Sequence, residues 1–146
     1  PSTTEPHRDF AISVDLLNWN GLAANFGFFA RTTWTPFGMS GGGLEGKGSG
    51  TPLAFVYLNW GTDTWLENSV ACPMVPGRSY RLICTGVGDL LTLKVFELGS
   101  TTRLVSSVQM ADPKNPSGPA APLFLGYASP SATITVANYR LTAVRP

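Results

Sequence analysis

Nine carboxylates, one histidine, two cysteines and four tryptophans are the side chains through which this 146-residue chain could do chemistry. Glycoside hydrolysis needs an acid and a nucleophile or base at a defined separation. In β-sheet glycosidases, alternating positions of one strand supply them. The carboxylates here are scattered as Glu5, Asp9, Asp15, Glu45, Asp63, Glu67, Asp89, Glu97 and Asp112, with no Glu-x-Asp-x-Glu or Glu-x-Asp-x-x-Glu cluster. His7, the sole histidine, stands in a Pro-flanked leading segment, where it is badly placed for a triad or for metal ligation. A hard cation such as calcium wants six to eight oxygens converging from a tight loop. Asn59, Asp63, Glu67 and Asn68 are the best local set, although two carboxylates flanking Trp65 are more often solvated turn residues. A non-catalytic module without a cofactor is expected, with calcium as the alternative.

The aromatic residues carry more signal. Trp19, Trp34, Trp60 and Trp65 all fall in the first half, three of them in or beside Gly/Asn/Thr-rich turns. A flat indole flanked by amides and hydroxyls suits the C–H faces and hydroxyls of a sugar. Tryptophan also fills cores, and Trp60 reads as core. Trp34 and Trp65 are the candidate sugar platforms, with Arg31, Asn59, Asp63 and Asn68 as polar partners.

The elements that must position these residues are short strands. Phe10, Ile12, Val14 and Leu16 alternate with Ala11, Ser13 and Asp15, the period of a strand with one buried face. Further strands are expected at 26–31, 53–60, 66–75, 80–85, 90–98, 103–110, 123–127 and 133–141. Pro73 marks an edge or bulge in its strand. Pro76-Gly77 and Gly86 to Gly88 supply turns for a central β-meander, and Gly99 to Thr102 joins another hairpin. Residues 41–50 hold six glycines and read as a long loop. The sum is an all-β fold, an antiparallel two-sheet sandwich or jelly roll, with residues 1–9 as an incoming arm and 10–146 as a single domain.

Cys72 and Cys84 each lie six residues from Arg78, so a hairpin turning there would set them opposite one another. A disulfide is then geometrically possible; two small buried hydrophobes are the alternative. Charged residues make up only 13% of the chain and the net charge is +1, which leaves no field for a polyanionic nucleic acid. No apolar run is long enough to span a bilayer as a helix. The chain begins at Pro1, as a processed or excised piece of a longer precursor would.

Four stretches in order, 9–19, 26–31, 76–88 and 134–141, resemble concanavalin A-like or laminin-G-like jelly-roll domains of bacterial secreted proteins. The resemblance implies a secreted or cell-surface module that binds a polysaccharide or glycan, sometimes with calcium, or one that serves adhesion. The competing expectation is a structural or self-assembly domain whose partner is protein, either the rest of a precursor or copies of itself. Where such relatives end in Asp-Asn-Tyr/Phe, this chain has Ala137-Asn138-Tyr139, which puts calcium in doubt.

Overall fold

The computed structural model describes residues 9–21, 24–35, 38–47, 52–59, 62–65, 70–88, 90–111, 123–127, 131 and 133–143; for 24–65 and 123–127 the description is of the backbone. It is all-β. The strands are β1 (Phe10–Leu17), β2 (Ala24–Thr35), β3 (Gly38–Lys47), β4 (Pro52–Asn59), β5 (Thr62–Trp65), β6 (Val70–Ala71), β7 (Ser79–Val87), β8 (Leu90–Leu98), β9 (Arg103–Ala111), β10 (Leu123–Tyr127) and β11 (Thr135–Ala143). They form two antiparallel sheets. One has the order β11-β1-β7-β8-β9, and the other β10-β2-β3-β4-β5, with β6 also paired to β4. Among the described residues no helix is long and apolar enough to cross a membrane.

Alternation explains the first sheet. Phe10, Ile12, Val14 and Leu16 of β1 meet Leu82 and Cys84 of β7, Leu91, Leu93 and Val95 of β8, and Val108 of β9 in one buried cluster, joined by Trp19, Cys72, Met74 and Tyr80. Each large aliphatic side chain so buried contributes about 1.5–3 kcal/mol. Val70 of β6, Val105, Ile134 and Val136 pack against this cluster from the side. The Ser106 hydroxyl of β9 donates to the Ala71 carbonyl at 2.7 Å, so β6 of the second sheet is tied to the edge of the first.

Three sequence expectations are corrected here. The Pro76–Gly77 turn does not close a hairpin: β6 pairs with β4, whereas β7 pairs with β1 and β8, so the chain arches from one sheet to the other between them. Cys72 precedes that arch outside any strand, and Cys84 stands opposite Ile12 and Leu93. Both are buried thiols, and the expected Cys72–Cys84 disulfide is not formed. Second, the glycine-rich tract, read as a loop, supplies β3 over Gly38–Lys47, held by backbone pairing to β2 and β4 on either side. Third, Asp63 and Trp65, read as turn residues, lie in β5, while the expected strand at 66–75 contracts to Val70–Ala71 among the described residues.

Candidate functional site

The second sheet carries five of the six residues singled out for sugar binding. Trp65 stands opposite Val56, and Asp63 opposite Leu58. Gly43 and Phe29 continue the row of Trp65 across β3 and β2, and Trp34 stands opposite Met39 near the end of β2. Residues two apart on a strand share a face. By that alternation Trp34, Asp63 and Trp65 occupy one face of the sheet. Asn59, opposite Thr62, occupies the other, and so does Leu53, the partner of Val70. Since Val70 packs against the core of the first sheet, the Trp34–Asp63–Trp65 face is the opposite one.

The two tryptophans are not neighbours. Four residues along β3 and three strand spacings separate them, which at 3.3 Å per residue and 4.8 Å per strand is about 20 Å. Between Ala30 and Thr33 the β2–β3 register slips, so Arg31 falls in a β-bulge. Bulges re-aim side chains and recur beside functional sites. Asn68, Glu67, Trp60 and His7 lie outside the described residues. Among the described residues no three His, Cys, Asp or Glu side chains gather.

One motif escaped the sequence reading. Gly38-Met39-Ser40-Gly41-Gly42 fits the Gly-x-Ser-x-Gly pattern of a nucleophile elbow. An elbow needs a sharp strand-to-helix turn to present its serine. Ser40 instead lies inside β3, paired with Thr33 of β2. The match lacks the geometry that gives the pattern its meaning.

The first sheet holds two charge clusters that sequence alone did not assemble. Asp15, at an outward position of β1, accepts from Arg81 Nε at 2.6 Å and Nη2 at 2.9 Å, and from Asn138 Nδ2 at 2.7 Å. The hydrogen bond from Arg81 is the main cause that holds the Asp15 carboxyl below its ordinary pKa, ahead of the opposing effect of burial. Asn138 reaches it because the β1–β11 register slips between Ser13 and Asp15, where Asn138 takes φ 52°, a left-handed conformation that asparagine tolerates. The second cluster joins Arg78, Glu97 and Arg103. Glu97 accepts from Arg78 at 2.5 Å and from Arg103 at 2.6 Å, and Arg103 foremost, then Arg78, pulls its carboxyl below the usual range. Burial pushes the Cys72 thiol up to about 11, which makes it a poor nucleophile.

Comparison with known proteins bears on the fold. No protein-family profile matches the chain, and no curated protein sequence does. Among solved structures, a functionally unknown protein from Saccharomyces cerevisiae is similar at 18% identity and TM-score 0.56, over 98% of this chain and 74% of its own. The CBM2 module of the evolved Dit of Lactobacillus casei BL23 phage J-1 is similar at 13% identity and TM-score 0.61, over 96% of this chain and 62% of that one. A tetrameric galectin from the ball sponge Cinachyrella matches at 11% identity and TM-score 0.55, over 96% and 94% of the two chains. The enzymatically active domain of tailspike protein 2 of bacteriophage CBA120 matches at TM-score 0.61 and 11% identity, with this chain spanning 24% of it. The property shared with them is an all-β fold.

Proposed function

We propose that this chain is a non-catalytic, extracellular carbohydrate-binding module with a concanavalin A-like jelly roll, and that Trp34 and Trp65 are its sugar platforms. The observation that carries the reading is the common face of Trp34, Asp63 and Trp65, opposite the face of Val70. Arg31 in its bulge and Asp63 of β5 are the polar partners, joined by Asn68; Asn59 is left out by its face. The separation of about 20 Å, from strand geometry, exceeds one sugar ring, so the ligand is an extended polysaccharide that lies across the strands. The phage CBM2 module and the galectin share the fold, which supports the reading at the level of architecture.

The test is a glycan array and an insoluble-polysaccharide pull-down on the wild type, Trp34→Ala and Trp65→Ala, each with and without chelator. Retained folding with at least tenfold weaker binding in either variant is expected, since an aromatic platform contributes on the order of 1.4 kcal/mol or more. Chelator sensitivity would add calcium to the site. Binding to no glycan would sink the reading.

A second reading has its own observation. Among the described residues β11 and β9 bound the first sheet, and Tyr139 and Leu141 of β11 and Leu104 of β9 are 44%, 43% and 50% exposed at those edges, where a second chain would pair in a structural or self-assembly role. Sedimentation of the wild type across a hundredfold concentration range tests it; a monomer throughout would exclude self-assembly.

A further inference from the structure

At the end of the first sheet where β7 begins and β8 ends, two exposed segments, 75–78 and 99–104, each present one arginine. Register makes them neighbours. Ser79 stands opposite Leu98, and Glu97 stands opposite Tyr80 on one side and Arg103 on the other. Tyr80 is 1% exposed, and its hydroxyl accepts from the Val75 amide at 2.6 Å, so the segment leading to Arg78 is anchored to the core. The Glu97 side chain is only 16% exposed, whereas those of Arg78 and Arg103 are 54% and 69% exposed. One carboxylate thus fixes two guanidinium heads from the sheet side and leaves them open to solvent.

A guanidinium carries five N–H donors in a planar fork that matches a carboxylate or sulfate in two-point fashion. Each arginine spends one nitrogen on Glu97, Arg78 through Nη1 and Arg103 through Nη2. The other donors of both forks are available on the solvent side, and the cluster keeps one net positive charge. Val75, 44% exposed and three residues before Arg78 on the same exposed segment, adds apolar surface of the kind that sugar C–H faces cover.

We propose that Arg78 and Arg103, braced by Glu97, form a binding site for an oxyanion borne on a polysaccharide, a uronate-type carboxylate or a sulfate ester. The polysaccharide carrier rests on the carbohydrate reading above; the oxyanion recognition rests on the two arginines. The site makes acidic glycans the preferred ligand class of a chain whose overall charge would not select them.

Dextran, carboxymethyl-dextran and dextran sulfate separate these terms, because they share one backbone and differ in charge. Affinity electrophoresis of the full chain is expected to show at least tenfold tighter binding to one or both charged polymers than to dextran. Arg78→Ala with Arg103→Ala removes that increment, while Lys94→Ala with Arg140→Ala, an equal change of charge on the same sheet, keeps it. The charged arms tell carboxylate from sulfate. The site is refuted if the charged polymers gain nothing over dextran, if the arginine pair is dispensable, or if both double variants lose binding equally through diffuse charge. Should Trp34→Ala and Trp65→Ala leave all glycan binding intact while the arginine pair abolishes the increment, the tryptophan reading falls and this site stands. Thermal unfolding of each variant checks folding, which exposed ion pairs affect little.

Discussion

Asp15 sits at an outward position of β1 and is nonetheless 3% exposed, because Arg81 from β7 and Asn138 from β11 close over it. Breaking such a pair strands a cation and a donor, which costs about 3–5 kcal/mol for fully buried ions. The Arg81 side chain is 43% exposed, so solvent compensates part of the loss. Asp15→Asn is therefore expected to lower stability by about 2 kcal/mol at neutral pH, read by urea unfolding. The pH dependence has a definite sign. The folded carboxyl titrates below its ordinary value, so its contribution is complete above the unfolded pKa of about 3.9 and is lost as pH falls through the folded one. The gap between wild type and variant should hold from neutral pH down to about pH 5 and close in stronger acid. A gap that persists unchanged in acid would mean the carboxylate charge is not what stabilises this site. Cys72 offers a second test at this scale: with its thiol pushed up to about 11 and buried, it should escape thiol reagents at pH 8 until the protein is unfolded, as mass spectrometry of the labelled peptide would reveal.

The arch between β6 and β7 is the element on which the topology turns, and it is held by backbone bonds. Gly77 N donates to the Trp19 carbonyl at 2.7 Å, and Arg78 N to that of Val75 at 3.3 Å. Gly21 and Gly77 have nearly the same left-handed backbone, φ 82° and φ 79°. They differ in space: a Cβ on Gly21 would stand 2.5 Å from Pro76 Cγ, whereas one on Gly77 would meet nothing within 4 Å. Gly77→Ala should then cost only the conformational strain, about 1 kcal/mol, and Gly21→Ala about 2 kcal/mol or more, since the Pro76 ring must also move. Equal thermal shifts for the two would show that residues 21 and 76 do not pack as described. This arch also marks where sequence reasoning stopped. Strands such as β1, β7 and β8 were legible because strict alternation prints the buried face onto the chain. Pro76-Gly77 announces a reversal equally well whether the next strand joins the same sheet or the other, so the expected hairpin and its cross-strand disulfide failed together. β3 was illegible for a different reason: glycine has no apolar side chain to alternate, and its strand is specified by pairing with β2 and β4. For the candidate site, residue types drew attention to Trp34 and Trp65, but only long-range register sorts Asp63 from Asn59 by face. The Arg78–Glu97–Arg103 cluster was legible only in part: the expected hairpin at Gly99 to Thr102 brings Glu97 to Arg103, but Arg78 joins them only through the pairing of β7 with β8.

On the scale of the molecule, the first and last strands are partners, with Phe10 opposite Ala143 and Leu17 opposite Thr135. β1 is thereby hydrogen-bonded on both sides, to β11 and to β7, and its buried face supplies the middle of the core. Such pairing couples residues more than a hundred positions apart, which makes folding slow compared with local hairpins but leaves the two ends of the fold adjacent in space. Adjacent ends permit a circular permutant. Joining residue 143 to residue 10 by a short Gly/Ser linker, and opening the chain at the exposed turn between Ser100 and Thr101, cuts no pairing within the first sheet. This permutant is expected to unfold cooperatively with a Tm within about 10 °C of the parent, since only loop entropy changes. A control that deletes residues 135–146 should not fold, because β1 then loses its β11 partner and the core its cover from Val136. The comparison decides the topology as a whole. If the last strand were a dispensable addition to a complete β-sheet, the deletion would survive; if β11 and β1 were not partners, the linker would have too far to reach and the permutant would collapse.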